Sequence, residues 1–461
     1  MINEVYGQLH KGIKKILKKD NEISTSVKFV SFPESLFLND SNFQIYNVPY
    51  INETVISGQI AVMDKRDVYP IENFVPSQFG DLYPCTFRYK KETNERAKSI
   101  KEAVNLWQKF IVNSVISEGY RNAGLHYAGY IKDCEEWCLP SWIWTNAALV
   151  RFYCLSGEIE KAIELGDLIV EQQQNCGGWI VRNDYSKDAV IPELAPNDSC
   201  YIAQNCCIEL YKVTQMDKYL QAAIRCAKWC IETARTDGLV YFGFDMLNKV
   251  WIKDRNIVDT GFTAGLFAEL YKITGTQCYY DFLEKFVKTY TNIFFMPNRK
   301  CFATAVDGND QQRGGAFGRG QAWALEGLIP AYDILKDEKI KNIIEDTIAT
   351  LISKQLKNGG WSYNLLKPLM GEDCKATPLI AKSILEWNKR YPNSNFVISA
   401  QNALHWCMAH TVASGNAAGG IFSYTIEGAI VHHMYTSTAF VYGSVYALEV
   451  LRLLQEVENG R

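Results

Sequence analysis

The sequence lacks several features that would assign it to a class at once. It has no stretch of about 18 apolar residues, so no transmembrane helix is predicted, and residues 1–20 have no signal-peptide core. Its 48 basic and 51 acidic residues give a net charge of -3 without long runs of either sign. This excludes the basic surface typical of nucleic-acid-binding proteins. We expect a cytoplasmic protein that binds neither nucleic acid nor a membrane.

Signatures of metals and cofactors are also missing. The six histidines form no ligand set, since His432 and His433 are adjacent and His405 and His410 lie five residues apart. No glycine-rich phosphate loop and no nucleophile elbow occurs. The fourteen cysteines are scattered without zinc-like spacing. We therefore expect reduced core thiols, no metal and no cofactor.

What the sequence does contain is a repeat. Six helix starts recur at intervals of roughly 50 to 60 residues, each followed by an apolar helix, a short turn and a second, amphipathic helix. The starts lie at residues 144–146, 197–199, 258–260, 318–321, 376–378 and 436–438. The clearest internal match aligns Ile-Glu-Leu-Tyr-Lys-Val-Thr at 208–214 with Ala-Glu-Leu-Tyr-Lys-Ile-Thr at 268–274.

This repeat predicts the fold. The first helix of each unit is apolar nearly all round and belongs inside, whereas the second keeps a charged face and belongs outside. The inner helices are predicted at about 144–155, 199–213, 260–273, 321–335, 378–387 and 438–454. With a helix near 95–117 as the sixth outer one, residues 96–461 form an all-α (α/α)6 toroid.

Residues 1–95 do not follow the repeat. Alternating apolar and polar residues with Pro and Asn punctuation predict a mixed N-terminal extension of short strands and loops. Its composition suits packing against the main body, as a lid or as a contact between copies in a homo-oligomer.

The loops that enter the inner helices gather at one mouth of the ring. Helix N-termini present free amides and partial positive charge there, which favours an anionic ligand. Asp198 and Asp259 lie at two of these starts. Two carboxyls in a partly apolar cavity tend to differ in pKa, so that one can deliver a proton. The alternative is that each aspartate merely caps its helix.

Other side chains at the mouth also have two interpretations. Arg319, flanked by Gly318 and Gly320, could clamp a substrate carboxylate or pair with a carboxylate of the ring wall. Trp144 and Trp323 could stack on sugar rings or pack in the core.

Three loops share a Gly-Gly-aromatic pattern, at residues 176–179, 358–361 and 419–422. The glycines could supply tight turns whose aromatic residues fill the rim of the ring. Alternatively, the aromatic residues form walls for a ring-shaped ligand, and Trp179 and Trp361 then contact it.

The motifs resemble those of a known family. Residues 319–324, Arg-Gly-Gln-Ala-Trp-Ala, followed by a glycine, resemble the signature of the unsaturated glucuronyl hydrolases of glycoside hydrolase family 88, which are (α/α)6 barrels. Trp144-Thr145-Asn146 is similar to a segment on that family's first inner helix. Asn197-Asp198 and the segment around Asp259 resemble its two acidic segments. The likeness extends loosely from about residue 100 to the C-terminus.

The resemblance implies an activity and a site. The family hydrates the C4–C5 double bond of the unsaturated uronic acid that lyases leave on cleaved polysaccharides. Asp259 would protonate C4 and deprotonate the attacking water, and Asp198 would hold the sugar hydroxyls. Arg319, Trp323 and Trp144 would line the sugar subsite. We also predict substrate contacts for Gln321, Asn197, Trp179 and Trp361. The implied partner is an oligosaccharide with a uronic acid.

Two departures keep alternatives open. Asn197 stands where the family has a histidine, and residues 301–310 contain no histidine where the family has one before its signature. A lyase, epimerase or hydrolase acting on an intact sugar in the same fold is one alternative. A non-catalytic glycan-binding or scaffold module is the other.

Overall fold

The computed structural model describes residues 43–47, 86–90, 95–118, 122–131, 136–138, 142–181, 193–246, 248–366, 372–422 and 438–460. Most of these residues are helical. Within the described ranges, no helix combines the length and the apolar character needed to cross a membrane.

Twelve helices occur in this part of the chain. They are α1 (Ile100–Asn113), α2 (Ile143–Ser156), α3 (Ile159–Glu171), α4 (Pro196–Ile202, continued through a π-helical segment, Ala203–Ile208, to Glu209–Thr214), α5 (Asp217–Thr233), α6 (Phe262–Thr274, preceded by a 3-10 turn, Val258–Gly261), α7 (Gln277–Phe294), α8 (Gly318–Leu335), α9 (Glu338–Ser353), α10 (Ala376–Asn388), α11 (Ser394–Ala409) and α12 (Val441–Glu458).

The even-numbered helices form a closed inner ring. Each packs against the next even-numbered helix, and α12 packs back against α2. The odd-numbered helices lie outside, with α3, α5, α7, α9 and α11 each packed on the inner helix before it and α1 packed on α12. The predicted pairing of inner and outer helices is therefore present, including the role of the first helix as the sixth outer one.

The outer helices bury one stripe, as their sequence pattern predicts. In α9 the buried positions are spaced by three and four residues: Ile340, Ile343, Ile344, Thr347, Ile348 and Leu351. Its charged positions remain outside. The hydrophobic core thus lies between the two rings of helices and is continuous around the barrel.

Four of the turns from inner to outer helices share one conformation. The C-cap residues of α2, α4, α6 and α8 are Gly157, Gln215, Gly275 and Lys336, and all have positive φ, between 52° and 78°. A left-handed residue at this point ends the inner helix and reverses the chain. In each of these turns the outer helix starts two residues later.

The inner ring is not as apolar as the sequence suggested. Arg151, Glu326, Lys382 and Glu449, from four different inner helices, meet below the mouth. Lys382 Nζ lies 2.5 Å from Glu326 and 3.9 Å from Glu449, and Arg151 lies 3.9 Å and 3.7 Å from the same two carboxylates. The charges can be buried because each carboxylate faces two cations. Arg151, Glu326 and Lys382 also border a second cavity of about 890 Å³.

Short antiparallel strands lie outside the helices. β1 (Phe43–Asn47) pairs with β2 (Thr86–Lys90), as expected for the N-terminal segment, whose other residues lie outside the described ranges. The remaining strands are in the loops between helices: β3 (Gly129–Ile131), β4 (Glu136–Cys138), β5 (Ile180–Val181), β6 (Glu193–Leu194), β7 (Gly243–Asp245), β8 (Val250–Ile252), β9 (Arg255–Ile257), β10 (Phe295–Met296), β11 (Cys301–Phe302), β12 (Ala305–Asp307), β13 (Gln312–Arg313) and β14 (Thr438–Phe440).

These strands connect neighbouring units. β14 pairs with β3, β3 with β4, β5 with β6, β6 with β7, β7 with β8, β12 with both β9 and β13, and β10 with β11. The last predicted helix start is corrected, because β14 occupies Thr438–Phe440 and α12 begins only at Val441. The strand's pairing with β3 delays the helix.

A buried histidine ties α1 to the ring. His126 Nδ1 lies 2.9 Å from Ser114 Oγ, and the His126 backbone N–H donates to Asn146 Oδ1 at 2.7 Å. Asn146 Nδ2 donates in return to the His126 carbonyl at 3.1 Å. Burial lowers the pKa of His126 to about 4, against a smaller opposing effect from the Ile111 carbonyl.

This lowered pKa predicts sensitivity to acid. The unfolded chain takes up a proton near the ordinary pKa of 6.5, whereas the folded chain does so only near pH 4. Stability should therefore be full above pH 6.5 and fall by about 3 kcal/mol as the pH decreases to 4. Urea unfolding of the wild type and of His126→Asn at pH 7.5, 6 and 5 measures this. The variant should lose less stability over that range; parallel losses would refute the assignment.

Candidate active site

The first turns of all six inner helices border one pocket. Its empty volume is about 530 Å³, part of which is open to solvent. The lining residues are Trp142 and Trp144 of the α2 start, Asp198 and Tyr201 of α4, Asp259 and Phe262 of the α6 start, Arg319 and Trp323 of α8, Lys375 before α10, and Tyr442 and Tyr446 of α12. The predicted residues Asp198, Asp259, Arg319, Trp323 and Trp144 are thus brought together.

The two aspartates are not the N-caps of their helices. The N-cap of α4 is Ala195 and that of the 3-10 turn before α6 is Ile257. Asp198 lies three residues after Ala195 and Asp259 two residues after Ile257, and they are 6% and 5% exposed. Both carboxyls therefore face a site that is largely shielded from bulk water.

The turn that carries Asp259 is held on two sides. Tyr290 Oη donates to the Val258 carbonyl at 2.7 Å, and Asn256 Oδ1 accepts from the Ile257 N–H at 2.9 Å and from Thr260 Oγ1. Burial, and after it the charge of Asp259, raises the pKa of Tyr290 well above its ordinary value. The phenol therefore stays protonated as a donor, and Asp259 has a fixed backbone.

Helix α8 approaches this turn closely. A Cβ on Gly327 would lie 1.9 Å from the Gly261 carbonyl oxygen, so only glycine fits there. This contact explains the glycine that follows the Arg-Gly-Gln-Ala-Trp-Ala segment. It brings Arg319 and Trp323 to the same cavity as Asp259.

Arg319 is paired within the ring wall. Its Nη1 donates to Asp373 Oδ2 at 2.9 Å, with the two side chains 2% and 0% exposed. Asp373 Oδ1 accepts from the backbone N–H groups of Lys375 and Ala376, at 2.8 Å and 3.3 Å. The structure contains the pairing of Arg319 with a neighbouring carboxylate. Because Arg319 also lines the pocket, its contact with a substrate carboxylate stays a prediction. The Arg319–Asp373 pair joins the start of α8 to the start of α10.

Aromatic rings hold the same guanidinium in place. Its carbon lies 4.7 Å from the Phe317 ring centroid and 5.3 Å from the centroids of Trp323 and Tyr363. These contacts and the ion pair fix the orientation of Arg319 at the edge of the pocket.

Removing the Asp373 carboxylate from its pair with Arg319 should destabilise the folded protein. Asp373→Asn leaves the Arg319 charge buried without its counter-ion, which predicts a loss of about 3–5 kcal/mol in the free energy of unfolding. The matched control is Asp346→Asn, which breaks the exposed pair with Lys300 at 2.8 Å and should cost less than about 1 kcal/mol. Denaturant titration compares the two variants. Equal, small losses would contradict a structural role for Asp373.

Gln321 and Asn197 are not on the pocket wall, which corrects their prediction as ligand contacts. Gln321 Oε1 accepts from the Phe302 N–H at 2.7 Å, and its Nε2 donates to the carbonyls of Phe302 and Phe317 at 2.9 Å and 2.8 Å. Its hydrogen-bonding groups thus hold the loop before α8. Asn197 is buried within the first turn of α4, next to Asp198.

Trp179 and Trp361 are also corrected. Both are fully buried, and their indole N–H groups donate to the carbonyls of Ile169 and Leu351 at 2.8 Å and 2.7 Å. The preceding Gly177 and Gly359 have φ values of 106° and 96°, and a Cβ on either would collide with an outer-helix carbonyl. The Gly-Gly-Trp loops are therefore tight turns that anchor the rim to the outer helices.

Six lining residues are absent from the sequence-based predictions: Trp142, Tyr201, Phe262, Lys375, Tyr442 and Tyr446. A helical register could have found some of them. Tyr201 and Phe262 each follow a predicted aspartate by three residues, so they lie on the same helix face. Lys375 immediately precedes the helix start that the sequence predicts at Ala376.

These aromatic residues form a nearly continuous wall. Trp144 contacts Trp142, Tyr442 and Tyr201, at centroid separations of 5.4, 4.6 and 6.4 Å. Phe262 then links Tyr201 to Trp323, at 4.6 Å and 6.0 Å. Faces of this kind stack on sugar rings.

Residues that could bind a metal lie elsewhere. Among the described residues, the group with suitably close ligand atoms is Cys200, Cys226 and Cys230, whose sulfur atoms lie within 4.8 Å of one another. All three are buried where α4 packs on α5, and they do not line the pocket.

Solved structures show which class of protein shares this fold. An unsaturated glucuronyl hydrolase specific for heparin is 16% identical, with a TM-score of 0.59 over 78% of this chain and 97% of that one. The unsaturated glucuronyl hydrolase from Bacillus sp. GL1 is 15% identical, with a TM-score of 0.56 over 78% and 96%. A family 76 α-mannanase from Bacteroides thetaiotaomicron is 15% identical, with a TM-score of 0.57 over 78% and 98%. The fold is that of the (α/α)6 glycoside hydrolases.

The sequence assigns the family. Residues 160–454 match the model of Glycosyl Hydrolase Family 88, so the chain belongs to that family. None of the curated proteins matches it. The resemblance drawn from the Arg-Gly-Gln-Ala-Trp-Ala segment is confirmed.

Proposed function

We propose that this protein is a glycoside hydrolase that removes an unsaturated uronic acid from an oligosaccharide by hydrating its C4–C5 double bond. The observation that supports this most is the convergence of Asp198 and Asp259 on one aromatic pocket in a family 88 chain. The two unsaturated glucuronyl hydrolases of the same fold point to the same substrate class.

In this proposal Asp259 is the acid and base. Its carboxyl donates a proton to C4 of the sugar, and the carboxylate then takes a proton from the water that adds at C5. The resulting hemiketal opens and releases the remaining sugar. Protons and oxygen balance with water as the only co-reactant, and the carboxyl returns to its starting state.

Asp198 has a supporting role. It lies on the next inner helix and faces the same pocket, where a carboxylate accepts hydrogen bonds from sugar hydroxyls. The six helix N-termini around the mouth favour an anionic sugar.

Loss of the acid should abolish turnover. Asp259→Asn keeps the shape of the side chain but cannot transfer the proton, so we expect a decrease in kcat of about 100- to 10,000-fold. The assay follows the ultraviolet absorbance of the conjugated double bond in unsaturated disaccharides. The matched control is Asp254→Asn, at an exposed carboxyl five residues earlier, which should keep full activity.

Two results would overturn parts of the proposal. No absorbance loss with any uronyl disaccharide would refute the substrate class. Activity that survived in Asp259→Asn would refute the assigned acid while leaving the substrate class intact.

A second candidate is hydrolysis of an intact glycoside. It is motivated by Asn197, which stands where the family has histidine, and by the fold shared with the α-mannanase. NMR of the products distinguishes the two, because hydration yields a keto sugar and simple hydrolysis does not. Against a non-catalytic glycan-binding module, both aspartates face the pocket instead of capping their helices.

Two further expectations stay proposals. A cytoplasmic location rests on the number of cysteines that are expected to be reduced core thiols. The role of residues 1–95 in a homo-oligomer depends on residues that lie largely outside the described ranges.

A further inference from the structure

Three cysteines converge in the core, away from the pocket. Cys200 lies in the first segment of α4, whereas Cys226 and Cys230 lie four residues apart on α5 and therefore on one face of that helix. The Cys200 and Cys230 sulfur atoms are 3.5 Å apart, and all three sulfur atoms lie within 4.8 Å of one another. Each of the three residues is fully buried. The packing of α4 on α5 thus brings three soft ligand atoms to one point.

The spacing of these sulfur atoms fits a single metal ion. Zinc binds cysteine sulfur at about 2.3 Å in a tetrahedral arrangement, which places neighbouring sulfur atoms about 3.8 Å apart. The 3.5 Å between Cys200 and Cys230 and the 4.8 Å limit for the group lie on either side of that value. The side chains therefore need to move by only about 1 Å or less. Other buried cysteines in the described part of the chain, such as Cys301 and Cys407, belong to no comparable group.

An oxygen atom beside the cysteines can complete the set of ligands. Thr263 lies in the first turn of α6 and is fully buried, and its hydroxyl interacts with the Cys200 thiol. Among the described residues, Thr263 Oγ1 makes no other hydrogen bond. Buried hydroxyls usually have a well-formed hydrogen bond. A metal ion held by the three sulfur atoms would give this oxygen a partner.

The dry surroundings favour a divalent ion. On binding, each thiol releases its proton to the solvent, and a bond from sulfur to the metal replaces the S–H bond. Three thiolates with one divalent ion leave a single net negative charge, whereas a monovalent ion such as Cu⁺ would leave two. The smaller charge is preferred because an uncompensated charge is costly to bury. Sulfur ligands also exclude Mg²⁺ and Ca²⁺, which prefer oxygen.

We propose that Cys200, Cys226 and Cys230, with Thr263 as the fourth ligand, bind one zinc ion that joins α4 to α5 and α6. Four protein ligands leave no open position for water, which is typical of structural zinc sites. The expectation of no metal considered the spacing of cysteines along the chain, but the convergence depends on helix packing. Because Cys200 directly precedes Tyr201 of the pocket wall, the ion would also stabilise that wall.

Metal analysis and X-ray absorption test the site without any substitution. The full-length protein is reduced, freed of metal with a chelator, loaded with Zn²⁺ and dialysed, after titration in denaturant has shown all fourteen cysteines to be free thiols. One zinc ion per chain should remain. Its X-ray absorption spectrum should show three sulfur neighbours at about 2.3 Å and one oxygen at about 2.0–2.2 Å. No retained zinc, or a shell with fewer than three sulfur atoms, would overturn the proposal.

Substitutions identify the ligands. Cys226→Ala and Cys230→Ala each remove one sulfur ligand, so the affinity for zinc should fall by at least about 100-fold. Zinc should also raise the Tm of the wild type but not of these variants. Cys278→Ala, at an exposed cysteine of α7, is the matched control and should bind zinc as the wild type does.

Two results would refute the assigned ligands. One is an unchanged zinc affinity in both ligand variants, and the other is an equal loss in Cys278→Ala; either would place the metal elsewhere. Circular dichroism shows whether each variant folds. If a ligand variant does not fold, the X-ray absorption spectrum of the wild type decides the question alone. Neither experiment depends on turnover of a sugar, so the outcome is separate from that of the proposed function.

Discussion

Closure of the inner ring is the constraint on which this structure depends. An inner helix has an inner neighbour on each side and an outer helix behind it, so its sides must be mostly apolar. Polar chemistry is then confined to helix ends and to balanced charges such as those of Arg151, Glu326, Lys382 and Glu449. The ends of six helices meet at the mouth, and that is where the pocket lies. The closed ring of helices therefore determines where the pocket lies, and the residues at the helix ends determine its chemistry.

Much of this could be predicted from the sequence, because the repeat carries the information. A helix that is apolar all round can only be an inner one, and its start then points to the mouth. This logic placed Asp198, Asp259, Arg319, Trp144 and Trp323 correctly on one pocket. The predicted ends of the inner helices differ from those of the structure by at most four residues, because left-handed C-caps and small starting residues mark most of them locally. The first outer helix, predicted near 95–117, is shorter and spans Ile100–Asn113.

The errors share a physical cause. Nearness to the mouth follows from chain position, but the direction of a side chain depends on contacts between distant segments. Trp179, Trp361 and Gln321 lie near the rim yet point into the wall, because carbonyls of an outer helix or of a neighbouring loop accept their N–H groups. Arg319 likewise depends on Asp373, a residue 54 positions away that no local pattern connects with it.

The packing of α1 on α12 also affects how the chain folds during its synthesis. The first of the twelve helices has its main partner in the last, so a ribosome synthesises α1 long before the surface that covers it. Until then the buried face of α1, with Trp107 and Phe110, remains available to chaperones or to another unfinished chain. The ring can therefore close only after synthesis of the chain is complete. A chain truncated before α12 would lack one wall of the pocket and would leave the buried face of α1 uncovered.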